Sequence, residues 1–245
     1  MNIQLIAHTQ LTQQFFDLAA YGFHDDDANQ LASDGQVVAM SAIRTCYSPN
    51  KPSEIVALEG QKYFGRKATE GEGTEADRLI RHIMNSGHTS TMEHLTFTFA
   101  IEGVSRSLLA QLTRHRHFSY SVQSQRYVKF GSGDKANGFD YVWPKTIANQ
   151  PQEVWDTYNY YMTQIQEMYD EMRSAGIPAE DARYILPNAA TCNLVLTGNL
   201  RSILDFYSKR NPNTHAQWEI QELAEKMKNE VIDVEPWTKP FFETV

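Results

Sequence analysis

The pattern of apolar and polar positions is sharpest from Leu95 to Glu102, where Leu95, Phe97, Phe99 and Ile101 alternate with Thr96, Thr98, Ala100 and Glu102. Period-two alternation of this length predicts a strand with one buried face. The period then changes. Leu108, Leu109 and Leu112 share one face of a predicted helix that delivers the chain to Arg114, and cations at a helix C-terminus meet the negative end of its dipole. Upstream, Ile3 to Ile6 reads as a short strand, His24-Asp25-Asp26-Asp27 as a polar loop, and Val37 to Tyr47 as a helix. The charged, glycine-containing stretch Lys51 to Gly73 reads as an exposed insertion. Thr74, with Asp77 three residues on, is an N-terminal capping signature for a helix that Gly87 closes. Downstream, Val154 to Ala175 predicts a long helix ended by Gly176. Pro178 suits a first helical turn, followed by Glu180 and Asp181, and Pro187 stops that short helix. Leu194 to Leu196 predicts a short strand, Asn199 caps the next helix, and Thr214 caps one from His215 to Val231. Strands interleaved with helices predict one α+β domain over residues 1–245.

Composition narrows the function classes. The chain has 22 Lys and Arg against 30 Asp and Glu, a formal charge of −8, so the overall basic footprint of a nucleic-acid binder is absent. The charge is unevenly spread. From Gly103 to Gly133 there is no carboxylate, while Arg106, Arg114, Arg116, Arg126 and Lys129 make that stretch +5 and leave −13 for the rest. A basic island in an acidic body focuses a small anion rather than tracking a long polyanion. Cys46 and Cys192 have neither a disulfide framework nor metal-pair spacing, and neither has a neighbourhood that would activate a thiolate. The N-terminus lacks a signal peptide's basic and apolar regions, and no run is long enough to span a membrane, so a cytoplasmic location is expected.

Two glycine runs imitate a dinucleotide fingerprint, which needs a strand, bare amides and a helix together. Gly131-Ser-Gly133-Asp-Lys-Ala136 follows a plausible strand but leads into no helix. Gly71-Glu-Gly73-Thr-Glu-Ala76 opens a helix, yet Glu70, Glu72 and Glu75 would repel a pyrophosphate. His82, His88 and His94 recur every six residues, which does not align them on one helical face, and HExxH is absent. A structural or ligand-contact role is favoured over a His-ligated metal hydrolase, and no metal is expected.

Arg114 to Tyr127, RHRHFSYSVQSQRY, holds the remaining chemistry: three arginines, two histidines, three serines and three aromatics. Arginine forks beside neutral donors can hold phosphate bidentately. Arginine with aromatics also suits a single-stranded nucleic-acid module, but one short island favours a phosphorylated small molecule.

Arg114-His-Arg116, Ser119 and Ser124-Gln-Arg126 together resemble the signature of flavin-dependent thymidylate synthases. Further segments of that family are matched in order by Ser86-Gly-His88 with Glu93-His94, Asp181-Ala-Arg183-Tyr-Ile-Leu-Pro187, Asn199-Leu-Arg201-Ser, and His215-Ala-Gln-Trp-Glu-Ile220. The resemblance runs from about Val37 to Trp237. It implies reductive methylation of dUMP to dTMP, with methylenetetrahydrofolate as carbon donor and NADPH reducing a bound FAD. It also implies a homotetramer whose sites are shared among subunits, with no nucleic acid or membrane as partner. The implied FAD positions are His88, Ser90, Arg114, His115, Arg116, Asn199, Leu200, Arg201 and Asp205. Those implied for dUMP are Gln111, Leu112, Thr113, Arg114, Gln123, Ser124, Gln125, Arg126, Arg183 and Arg210, with Arg210 also implied to act on N3 of the uracil. Val122 stands where the family usually has Glu or Gln, Asp205 where Asn is common, and the stretch from Arg210 to Ala216 is one residue longer than usual.

Overall fold

In chain order the elements are β1 (Asn2–His8), α1 (Gln13–Ala19), α2 (Asp34–Tyr47), α3 (Ile55–Tyr63), α4 (Glu75–Asn85), β2 (Thr96–Ser105), α5 (Arg106–Leu112), β3 (Ser119–Val122), α6 (Lys145–Ala148), α7 (Gln152–Ser174), α8 (Ala179–Ala182), β4 (Thr191–Asn199), α9 (Leu200–Arg210), α10 (Trp218–Val234) and α11 (Lys239–Glu243). The computed structural model describes residues 1–24 and 30–244, so Asp25-Asp26-Asp27 of the expected polar loop lie outside the described residues. The four strands form one sheet in the order β1-β2-β4-β3, and the mixture of helix and sheet is the expected α+β class. By internal packing the chain divides into two compact units, Met1–Gln4 with Ala100–Leu196 and Leu5–Phe99 with Thr197–Val245. Strands β2 and β4 each run from one unit into the other.

β2 buries Phe97, Phe99 and Ile101 as the alternation requires, but it continues to Ser105. The alternation changes phase at Gly103, whose φ of +67° is a left-handed conformation that glycine adopts without a Cβ penalty. The strand therefore outruns its sequence pattern. β4 likewise exceeds the expected Leu194–Leu196, with Cys192, Leu194 and Leu196 buried on one face.

In the first unit, α7 lays Met162 and Tyr169 against Phe130, Phe139, Ala182 and Ala190. The Gly131 run is not preceded by a strand, and carboxylates take its amides. Gly131 N–H donates to Asp134 Oδ2 at 3.0 Å and Ser132 N–H to Asp170 Oδ1 at 3.0 Å.

In the second unit the expected exposed insertion is only partly exposed. Its middle folds as α3, and Ile55, Val56, Tyr63 and Phe64 are buried, with Val56, Tyr63 and Phe64 in a core that includes Phe23, Val37 and Met40. Gly60, one of the glycines of that stretch, is a contact residue, because a Cβ there would lie 2.1 Å from Gly22 O. α4 is capped as expected, with Thr74 and Asp77 in a reciprocal capping box. α2 starts earlier than expected, at Asp34, capped by Ser33. Its first turn receives the buried Glu235, which accepts from Gly35 N at 3.0 Å, from Trp237 Nε1 at 2.5 Å and from the Ser33 hydroxyl. Burial raises the Glu235 carboxyl above its ordinary range, although these donors pull the other way. α10 starts at Trp218 with Gln217 as its cap, not at His215. Thr214 is engaged elsewhere, its hydroxyl donating to Asn211 O at 2.7 Å and accepting from Ala216 N at 3.3 Å.

Candidate active site

The basic island lies in the first unit and starts where α5 stops. Ser105 caps α5, its hydroxyl accepting from Leu108 N at 2.9 Å, and Leu108, Leu109 and Leu112 bury the inner face. Beyond Leu112 the backbone stays coiled. Arg114 N–H donates to Gln111 O at 3.3 Å and His115 N–H to Leu112 O at 3.0 Å. Phe118 is buried beneath the turn while Arg114 and Arg116 stand exposed. Tyr120, on β3, fastens this loop, because its hydroxyl is shared between Leu112 O at 2.7 Å and His115 O at 2.8 Å. Burial raises the Tyr120 phenol to about 12, so at neutral pH it is a donor. The island's charges are thus presented on a backbone held by a buried leucine face, a buried phenylalanine and a phenol.

β3 is an edge strand beside β4. After it Gln123 is tied to Asn193, by Gln123 N–H to Asn193 O at 2.8 Å and Asn193 Nδ2 to Gln123 Oε1 at 3.3 Å. Ser124 Oγ accepts from Arg126 N at 3.2 Å, which leaves the hydroxyl proton available as a donor. Gln125 is buried, Arg126 exposed and Arg183 half-buried. Arg126 Nε lies 3.1 Å from Glu180 Oε2, and Arg183 Nε donates to Glu180 O at 3.0 Å. Arg126, Ser124 and Arg183 are thereby tied to one small region: Ser124 through the backbone of Arg126, and both arginines through Glu180. Thr113 is exposed and Leu112 buried, so of the implied nucleotide positions Leu112 can contribute through its backbone only.

The second unit carries the other implied positions on α9 and the turn before β2. Asn199 caps α9, its Oδ1 accepting from Ser202 N at 2.9 Å, and Leu200 N–H donates to Leu95 O at 2.9 Å. Leu200, Ile203, Leu204 and Phe206 are buried, which turns Arg201 and Asp205 outward. Together with Asn85, Thr89 and Ser208 they line a cavity of about 290 Å³. Arg201 is braced by Glu93 at 2.5 Å, and Asp205 pairs with Lys209 at 2.7 Å. Ser90 is exposed and Leu200 fully buried, so the leucine serves packing here. His88 Nδ1 lies 3.0 Å from the Tyr47 hydroxyl, with the two rings edge to face. Arg210 ends α9 half-buried, followed by the buried Asn211, whose N–H donates to Tyr207 O at 2.8 Å. Among the described residues no group of three or more His, Cys, Asp and Glu is placed to hold a metal ion. Nor is any helix of the described residues long and apolar enough to cross a membrane.

Three residues of these clusters carry no site expectation in the sequence, Tyr47, Tyr120 and Glu180, and Glu93 belongs to a matched segment without an implied role. Tyr120 had a signal, being an aromatic inside the basic run. The others act across long sequence separations and have no local signature.

Residues 30–237 match the family profile of the thymidylate synthase complementing protein. Among curated relatives, the flavin-dependent thymidylate synthase of Clostridium tetani is 36% identical over 215 residues, covering 81% of this chain and 78% of that protein. The flavin-dependent thymidylate synthase of Pyrococcus furiosus is 36% identical over 187 residues, covering 72% and 75%. Two solved structures share the fold at 23% identity. One is the UMP/dUMP methylase PolB of Streptomyces cacaoi bound with 5-Br dUMP, with a TM-score of 0.70 over 99% of this chain and 94% of that one. The other is the flavin-dependent thymidylate synthase ThyX of Helicobacter pylori complexed with FAD and dUMP, with a TM-score of 0.64 over 100% and 99%. On the profile match over most of its length and this level of identity, the chain belongs to the thymidylate synthase complementing protein family, that of the flavin-dependent thymidylate synthases.

Proposed function

We propose that this protein converts dUMP to dTMP, taking the carbon from methylenetetrahydrofolate and reducing equivalents from NADPH by way of bound FAD, as a homotetramer. The observation that carries the reading is the carboxylate-free run from Arg114 to Arg126, held open to solvent by Tyr120 and joined through Glu180 to Arg183. Its donors are exposed guanidinium groups and a serine hydroxyl, the set that holds a phosphate monoester. The first unit is assigned the dUMP positions Gln111, Leu112, Thr113, Arg114, Gln123, Ser124, Gln125, Arg126 and Arg183, and also the flavin contacts of Arg114, His115 and Arg116. The second is assigned the flavin positions His88, Ser90, Asn199, Leu200, Arg201 and Asp205, and the uracil-directed Arg210. In the homotetramer several subunits contribute to each site.

The donor chemistry fits a flavin dinucleotide: Arg114 and Arg116 are exposed to meet its phosphates, and Arg201, braced by Glu93, faces a cavity edged by hydroxyl and amide groups. When bound, FAD supplies the hydride chemistry. The protein's part is orientation and charge. A phosphate grip by Arg126, Arg183 and Ser124 fixes the uracil ring, so remote binding energy is spent on alignment. A guanidinium at N3 and O2 of uracil stabilises the negative charge that develops on the ring as C5 becomes nucleophilic, which is the task assigned to Arg210. The test is a reconstitution with FAD, dUMP, methylenetetrahydrofolate and NADPH, read as dTMP by chromatography. Product that requires all four supports the reading, and no product from FAD-loaded tetramer refutes it.

A further inference from the structure

We infer that Glu180 is a positioning residue that aims Arg126 and Arg183 as a two-armed clamp on the phosphate of the nucleotide, an inference that rests on the assignment of both arginines to dUMP. Glu180 opens the short helix α8 beside Ala179 and reaches each arginine with a different group. Its side-chain Oε2 lies 3.1 Å from Arg126 Nε, and its backbone oxygen accepts from Arg183 Nε at 3.0 Å. Both guanidinium groups are therefore held by the same atom, Nε. Among the described residues the two Nη groups of each carry no hydrogen bond. In a planar guanidinium the Nη1–Nη2 edge is one of the two that present parallel N–H bonds to an oxyanion. Tethering at Nε leaves that edge without a hydrogen-bond partner on both arms among the described residues.

Each arm also has an aromatic partner adjacent in sequence. The Arg126 guanidinium lies 5.4 Å from the Tyr127 ring centre, and that of Arg183 lies 5.9 Å from the Tyr184 ring centre. Tyr127 and Tyr184 are 78% and 82% exposed, which leaves them no core to serve. The Glu180 and Arg126 side chains are 49% and 53% exposed, so their ion pair contributes little to stability by itself. Its consequence is geometric: one of the arginine's rotamer-rich arms is ordered before the anion arrives, which lowers the cost of binding.

The alternative consequence of the same contact is competition, in which the carboxylate must be displaced by phosphate. The two differ in the effect of keeping an acceptor while removing the charge. The experiment is calorimetric titration of the FAD-loaded protein with dUMP, and with deoxyuridine as the probe that lacks phosphate. The proteins are wild type, Glu180→Ala, Glu180→Gln, Arg126→Ala and the E180A/R126A double variant. A clamp predicts that E180A binds dUMP about threefold more weakly, while E180Q, whose amide oxygen still accepts from Nε, stays within about twofold of wild type or binds tighter. Deoxyuridine should bind all the proteins alike, and the double variant should bind dUMP no more weakly than R126A. Tighter dUMP binding by both E180A and E180Q would overturn the clamp in favour of competition. Equal weakening of dUMP and deoxyuridine by E180A would reduce Glu180 to a structural residue. If R126A weakens dUMP but E180A matches wild type, the clamp alone fails. If R126A leaves dUMP affinity unchanged, the phosphate assignment fails and takes the clamp with it.

Discussion

Replacing Tyr120 with Phe removes one hydroxyl and tests whether the basic loop is held as described. That hydroxyl is shared between Leu112 O at 2.7 Å and His115 O at 2.8 Å. Neither carbonyl would be orphaned by its loss: Leu112 O still accepts from His115 N at 3.0 Å, and His115 O from Phe118 N at 3.4 Å. The cost is thus the net value of a satisfied hydrogen bond, about 1 kcal/mol, and not the roughly 3 kcal/mol of an abandoned buried acceptor. The local effect should be larger than the global one, because the last turn of α5 and the Arg114–Arg116 loop lose a hydroxyl that ties two of their carbonyls to β3. Urea denaturation should show a small drop in midpoint with an unchanged slope. Amide hydrogen exchange from Thr113 to Ser119 should quicken while β2 is unaffected, and FAD affinity should fall. A stability loss of about 3 kcal/mol or more would mean that the phenol carries more than this one shared bond. Unchanged exchange in the loop would mean that it does not hold the island at all.

The other predictions concern packing, pH and chemistry. Ile55→Ala should cost about 2–5 kcal/mol, because Ile55 is fully buried on α3. Leu58→Ala, on the same helix but 65% exposed, should change stability by less than about 0.5 kcal/mol; equal small effects in thermal melts would place α3 outside the core. For Glu235 the folded carboxyl is raised above its ordinary 4.5 by burial. Its contribution to stability is therefore full below that value and lost as pH rises through the folded pKa. E235Q should remove that part of the pH dependence, read as the difference between variant and wild-type urea midpoints from acid to neutral pH, and parallel curves would refute it. Arg210→Ala should slow single-turnover flavin oxidation about 100-fold with little change in dUMP affinity. Arg210→Lys should recover little, since a point charge lacks the planar fork, whereas wild-type turnover in R210A would leave Arg210 as a helix-end residue.

What was legible in the sequence is what acts locally. The alternation of Phe97, Phe99 and Ile101, the Thr74–Asp77 cap and the Asn199 cap all concern neighbours within a few positions, and all are found as read. The errors have physical causes. The Lys51–Gly73 stretch reads as exposed because it is charged and contains glycines, yet within α3 Gly60 is the point where the helix backbone meets Gly22. The alternation of β2 stops short of Ser105 because a glycine changes its phase, and α10 begins later than its apparent cap because Thr214 joins the Asn211 turn. In the candidate site the donors were visible as charge and composition, but their braces were not. Tyr47 lies 41 residues from His88, Glu180 54 from Arg126 and Glu93 108 from Arg201. A single sequence carries the charge of an arginine but not the carboxylate that aims it.

The central claim is that this chain is a flavoprotein whose bound flavin serves dUMP methylation. It is tested most directly by the visible absorbance of the protein after incubation with FAD and removal of unbound cofactor, followed anaerobically on adding NADPH with and without dUMP. The account predicts a retained flavin band that NADPH bleaches, faster when dUMP is present. Folded protein that keeps no flavin absorbance after desalting would contradict it.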